Sequence, residues 1–273
     1  MNIALTLKKI AAFFCRDFAI ARGYRSALIL EILEAFFGVA TFYYLSRFVE
    51  SPQLSRALPR GNNYFAFALV GFAFFDYLTV SLGAFDQSIE EARQNRTLEA
   101  LLVTQTPLPV ILGGSAVYPF VTLALRTCVY FAWGALLFGF LPRTANWLGA
   151  IVVLLASILA FAGLGILSAS YQILFKRGNP AKWVVLGVSG LVGGMMYPIA
   201  VLPRPLQLLA RLIPVTYSLE GMRAALLAGA GWTKLWPSIV VLLVFAVILI
   251  PLSFATFAWA LRRTKVTGTL THV

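Results

Sequence analysis

Six apolar runs occupy most of this chain, at 27–49, 64–85, 110–140, 147–174, 183–202 and 237–261. Each meets or exceeds the ~20 residues that a helix needs to cross the hydrocarbon core of a bilayer. Such a chain has no room for a large water-soluble core. Of its 273 residues, 60% are hydrophobic and only 12% are charged, about half the charged share of an ordinary soluble domain. The mean hydropathy is +0.85. The long unbroken runs argue against a membrane β-barrel, which needs short segments of alternating polarity. The pattern predicts one all-α integral membrane domain over 1–273 with six transmembrane helices. The third and fourth runs are longer than a crossing requires, so they tilt, kink at Pro119, or project beyond the bilayer.

The connections carry helix breakers: Pro52 and Pro59, Pro142, and Gly178-Asn179-Pro180. The segment 203–236 differs from the others, because Pro203, Pro205 and Pro214 cut it into pieces too short to cross. Residues 206–212 and 219–227 suit short helices that dip into the outer leaflet and return. Backbone at that depth is tolerated where it is satisfied internally or faces a cavity. Pro203, Pro214, Tyr217, Glu220 and Arg223 are the candidates for an outer gate, and a packed cap without gating is the alternative. Glu220 and Arg223 stand three residues apart, a spacing that allows a helical ion pair.

The formal net charge is +12, with 22 basic residues and one histidine. Most basic residues fall in one alternate set of connections, which includes Lys8, Lys9, Arg16, Arg22, Arg93, Arg96, Lys176, Arg177, Arg262 and Arg263. Fewer fall in the other set, which holds Arg47, Arg56, Arg60 and Arg143 among them. The positive-inside bias places both termini in the cytoplasm. The excess charge therefore reads as attraction to anionic lipid headgroups. Scattered over several juxtamembrane segments, it does not read as a nucleic-acid surface.

The N-terminus lacks the uninterrupted core and cleavage site of a signal peptide. Ile3, Leu7, Ile10, Phe14 and Phe18 recur at helical spacing, with Lys8, Lys9, Arg16 and Arg22 elsewhere around the helix. Residues 1–25 thus predict an amphipathic helix on the inner leaflet, serving as an anchor or in a mechanical role.

Groups for chemistry are sparse. His272 lies in the tail, Cys15 and Cys128 fall at different membrane depths, and no lysine follows a glycine, so no Walker A loop exists. No cofactor or metal is expected in this chain. Asn95-Arg96-Thr97 matches a glycosylation sequon, but chance explains it better at a cytoplasmic position. Inside the spans, Asp76 and Arg126 both fall near mid-bilayer, where an unpaired charge is expensive. They predict an ion pair locking spans 2 and 3, or a place on a substrate path. Glu31 and Glu34 enter span 1 from the inside and are candidates for a path or entrance.

Between spans 2 and 3 lies a charged island, 87–106, with apolar residues at helical spacing. Its stretch Glu91-Ala92-Arg93-Gln94-Asn95-Arg96-Thr97-Leu98-Glu99-Ala100-Leu101-Leu102-Val103-Thr104 resembles the cytoplasmic motif of ABC-2 type transporter permeases. Members commonly read Gly-Thr-Leu-Glu, an apolar pair and Thr-Pro; here Arg96 replaces the glycine and Gln105 a proline. A second similarity runs from Leu202-Pro203 to Ile213-Pro214-Val215-Thr216-Tyr217-Ser218-Leu219-Glu220-Gly221 and matches the family's broken outer segment. The resemblance implies a permease in the inner membrane of a prokaryote, paired with a second copy or a paralogue. It implies docking on a separate ATPase that carries ATP and Mg, with export of an amphiphilic, lipid-linked or polysaccharide-type substrate. It also implies that the island is a coupling helix. Leu98, Leu101 and Leu102 would supply its apolar face, with Thr97 as a cap and Glu90, Glu91 and Glu99 near helix N-termini. Arg93 and Arg96 would meet acidic groups on the ATPase. The alternatives are a secondary transporter or channel without an ATPase, and a non-transporting scaffold.

Overall fold

A computed structural model describes residues 3–23, 25–49, 63–94, 108–140, 144–175 and 179–266. Among them every long element is an α-helix. In chain order these are α1 (Ile3–Gly23), α2 (Arg25–Val49), α3 (Tyr64–Gln94), α4 (Leu108–Phe138) and α5 (Trp147–Phe175). They continue as α6 (Pro180–Val192), α7 (Arg204–Arg211), α8 (Pro214–Leu226) and α9 (Trp232–Val266), with a 3-10 turn at Ile199–Val201 before α7.

Five helices, α2, α3, α4, α5 and α9, are long and apolar enough to cross a membrane. The fifth crossing expected at 183–202 is not a continuous helix. It stops at Val192 after 13 residues, about 20 Å of rise against the ~30 Å of a bilayer core. Its end is set by a glycine pair. Gly193 N donates to Ser189 O at 2.8 Å, and a Cβ on Gly193 would stand 2.3 Å from that same oxygen. Gly194 then takes a φ of +83°, a left-handed turn that only glycine adopts at little cost.

The structure extends a second expectation. The apolar crossing of span 2 ends at Ser88, close to the expected 85, but the helix does not end with it: α3 runs unbroken for 31 residues to Gln94. The first part of the charged island is therefore the end of a membrane helix rather than a separate element.

Small residues set the packing. Of the five long helices α3 is the most enclosed, with 67% of its most apolar stretch buried against 22% for that of α2, α4 or α9. α5 runs parallel to α9, Gly149 facing Leu235 and Gly163 facing Leu249. It also runs parallel to α3, where a Cβ on Gly165 would stand 2.1 Å from Ser81 O. Such approaches let backbones pack closely where lipid supplies no hydrophobic drive between helices. α4 is antiparallel to α3, and α1 leans on the start of α4 through Phe13 beside Gly114 and Phe14 beside Tyr118. The main core gathers α2, α3, α4, α5, α8 and α9, with Tyr77, Tyr130 and Phe161 fully enclosed.

The proline-cut outer segment folds back as the hairpin α7–α8. Pro205 and Pro214 fall in the first turns of the two helices, where a missing N–H costs nothing. Thr216 Oγ1 donates to Ala210 O at 2.7 Å and Tyr217 OH to Arg211 O at 3.0 Å, closing the hairpin. Its far end is tied to the start of α5. Asn146 N donates to Ala225 O at 2.9 Å, and Asn146 Nδ2 donates to Ala230 O at 2.9 Å.

Candidate functional site

Three polar constellations interrupt the apolar interior, and each joins helices distant in sequence. The first sits halfway along α3 and α4. Arg126 Nη2 donates to Glu34 Oε1 of α2 at 2.9 Å, and its Nε stands 3.7 Å from Asp76 Oδ2 of α3. Tyr130, one turn along α4, donates its hydroxyl to that same Asp76 oxygen at 2.7 Å. One guanidinium thus serves two carboxylates from two helices. Sequence spacing pointed to Asp76 as the partner of Arg126. Glu34 was read as an entrance residue, yet here it is the nearer partner. Glu31, one turn before Ala35 on α2, faces a cavity beside this cluster.

The asymmetry makes a prediction. Arg126→Met leaves two carboxylates facing each other without their cation, whereas Asp76→Asn keeps the Glu34–Arg126 pair. Thermal unfolding in detergent should show the arginine variant losing several kcal/mol, the cost of orphaning a partly buried charge, and the Asp76 variant losing about half of that. Equal losses would contradict the shared-arginine arrangement.

The second constellation lies where α3 leaves the apolar layer. Asp86 is buried at 7% exposure. Its Oδ2 accepts from Ser168 Oγ of α5 at 3.0 Å and from Asn179 Nδ2 at 3.1 Å. Asn179 Nδ2 also donates to Ser168 O at 3.0 Å, while its Oδ1 accepts from Lys182 N at 3.0 Å and caps α6. Three helices therefore meet at one carboxylate, eight residues before the end of α3. Neither Asp86 nor Ser168 was singled out in the sequence, and Asn179 figured there only as part of a helix breaker. The Asn179-Pro180 pair, an N-cap followed by a proline at the first helical position, was the available signal.

The third is Arg223 of α8, 6% exposed. It donates through Nη1 to Gly194 O at 2.6 Å, through Nη2 to Met195 O at 2.6 Å, and through Nε to Phe67 O at 3.2 Å. Its guanidinium carbon lies 3.4 Å from the centre of the Phe67 ring. Burial works against the charged guanidinium and lowers its pKa, while Glu220 and Tyr64 oppose that shift. The helical Glu220–Arg223 pair is not among the ion pairs formed: Arg223 turns inward to carbonyls and Glu220 stays exposed. Gly71 makes the approach possible, since a Cβ there would stand 2.2 Å from Met195 O and 2.4 Å from Arg223 Nη2. The arginine thereby satisfies carbonyls left orphaned where α6 breaks.

The other expected outer residues lie in the same cap. Pro203 precedes α7, Pro214 opens α8, and Tyr217 closes the hairpin. Of the coupling residues, Glu90 lies on the last turns of α3, whose helical backbone also includes Glu91 and Arg93, so Glu90 and Glu91 sit near a helix C-terminus and not the N-terminus expected for them. Arg96, Thr97, Leu98, Glu99, Leu101 and Leu102 lie outside the described residues.

Long apolar helices around a charge-bearing interior define a polytopic helical membrane protein. The chain belongs to the ABC-2 type transporter family, whose sequence model matches residues 9–227. It is similar to the inner membrane transport permease YadH of Escherichia coli (strain K12), 26% identical over 207 residues that cover 74% of this chain and 75% of that one. The permease of the same name from Shigella flexneri matches to the same extent. Membership places the chain among multi-pass transport permeases of the inner membrane, a family that works with ATPase subunits.

Proposed function

We propose that this chain is the membrane permease subunit of an ATP-binding cassette exporter, driven by ATP hydrolysed on a separate subunit. Two permease copies, or this chain and a paralogue, would share one complex, with both termini in the cytoplasm. Segment 87–106 would dock on the ATPase, and segment 203–236 would close the outer end. The observation that carries this reading is the continuity of α3. One rigid helix connects the mid-membrane Asp76 cluster, the Asp86 junction and the first residues of the charged island. A push at its Gln94 end would reach all of them without crossing a loop.

The experiment is co-purification with the cognate ATPase and measurement of ATP hydrolysis with and without the permease. Glu91→Ala, Arg96→Ala and Glu99→Ala combined should abolish stimulation and weaken ATPase retention by about tenfold or more, as expected when several charged contacts are lost at an interface. Unchanged retention and stimulation would remove the coupling role. Failure to recover any ATPase subunit would favour a secondary transporter or a scaffold.

A further inference from the structure

Two cavities meet beside the Arg126 cluster, and their shapes differ. The first is a chamber of about 420 Å³ over the face of α3, between α2 and α4 on one side and α6 on the other. Its polar lining includes Thr79, Gln87, Thr122, Arg126, Glu31 and Lys182. The second is a slot of about 220 Å³ between α2 and α4, walled by Ile32, Ala35, Leu125 and Val129. Glu31, Thr122 and Arg126 line both, so the polar chamber and the apolar slot adjoin. The slot opens sideways from the bundle, where Leu125 is 63% and Ile32 is 48% exposed.

We propose that chamber and slot together bind one zwitterionic amphiphile, with its phosphate at Lys182, its ammonium at Glu31 and its tail between α2 and α4. The proposal specifies the substrate class of the exporter reading and rests on it. The charges on the walls decide the headgroup. Arg126 is already held by Glu34 and Asp76. Among the described residues, no ion pair within 4 Å engages Glu31 or Lys182. The chamber thus offers one anion and one cation outside any close ion pair, Lys182 acting on the Asp86 carboxylate only at longer range, which suits a head carrying both signs. Gly83 gives Lys182 its place over α3, since a Cβ there would stand 3.1 Å from Nζ. The chamber volume falls in the range of small-ligand pockets, roughly 300–1,000 Å³.

Native mass spectrometry of the full chain in detergent tests this with three probes: phosphatidylethanolamine, phosphatidylglycerol and a dialkyl dimethylammonium lipid. Phosphatidylethanolamine should be retained best, and glycerophosphoethanolamine should compete for it. Glu31→Gln and Lys182→Gln should each weaken phosphatidylethanolamine retention by about tenfold, the scale of one lost charged contact. Glu31→Gln should leave phosphatidylglycerol retention unchanged, and Lys182→Gln should leave the cationic lipid unchanged. Val129→Trp should block the tail slot and reduce retention of phosphatidylethanolamine while sparing the soluble head. Equal retention of the three lipids, or no response to Glu31→Gln, overturns the proposal. The assay needs no ATPase, so lost lipid selectivity with intact coupling defeats this inference alone. In the reconstituted complex, a transported cargo would stimulate ATP hydrolysis and a resident membrane lipid would not. Retention without stimulation would therefore overturn the substrate assignment.

Discussion

Arg223→Ala should destabilise this protein by about 3 kcal/mol, a net figure after allowing for the arginine's own desolvation. The side chain holds the oxygens of Phe67, Gly194 and Met195 and lies against the Phe67 ring. Truncation strands the buried carbonyls of Gly194 and Met195 at the break between α6 and the outer hairpin and removes a further donor from Phe67 O of α3. Arg223→Lys should recover only part of the loss, because an ammonium lacks the planar fork that reaches several acceptors at once. Gly71→Ala should mimic the defect from the opposite side, since its Cβ would collide with Met195 O. Thermal unfolding in detergent, with limited proteolysis after Val192, would read all three. A loss below about 0.5 kcal/mol for Arg223→Ala, the range of an ordinary surface change, would show that the carbonyls find other partners.

The second large effect is expected at Asp86. Asp86→Ala removes the acceptor shared by Ser168 and Asn179 and should cost about 2–3 kcal/mol. Asp86→Asn keeps the shape but gives up a charged acceptor, so its loss should be smaller. Asn179→Ala should add the loss of the α6 cap, typically ~1 kcal/mol, to the broken side-chain bonds. The functional signature matters more than the stability. On the exporter reading, the junction lies between the segment that receives force and helices α5 and α6. Asp86→Ala should then leave ATPase docking intact while transport falls by about tenfold or more, as for a contact of roughly 1.4 kcal/mol or above. Docking and transport falling together would make Asp86 a folding residue only.

The membrane-crossing helices were legible in the sequence because bilayer thickness imposes a length that apolar runs reveal directly. α3, α4, α5 and α9 all begin within a few residues of their apolar runs. The broken fifth helix was not legible, because hydrophobicity continues past Val192 and hides Gly193 and Gly194. Composition reports where backbone can be greasy, and here geometry decides where it can be helical. The polar contacts divide by sequence distance. Asp76 and Arg126 could be matched by depth on consecutive spans. Asp86 meets partners 82 and 93 residues away, and no periodicity announces such a meeting. Glu220 and Arg223 illustrate the opposite error. Their local spacing suggested a pair, but carbonyls freed by the glycine break were the stronger demand on the arginine.

The shortness of α6 has an electrical consequence. A polar head beside Lys182 has about ten residues of apolar helix to pass, roughly 15 Å at 1.5 Å per residue, before it reaches the non-helical peptide groups beyond Val192. The neighbouring helices would impose nearly twice that path. The energy of carrying a charge through a low-dielectric layer falls as the layer thins and as fixed dipoles appear within it. The broken helix therefore makes one sector of the protein a low point in the dielectric barrier, next to the chamber that holds its available charges.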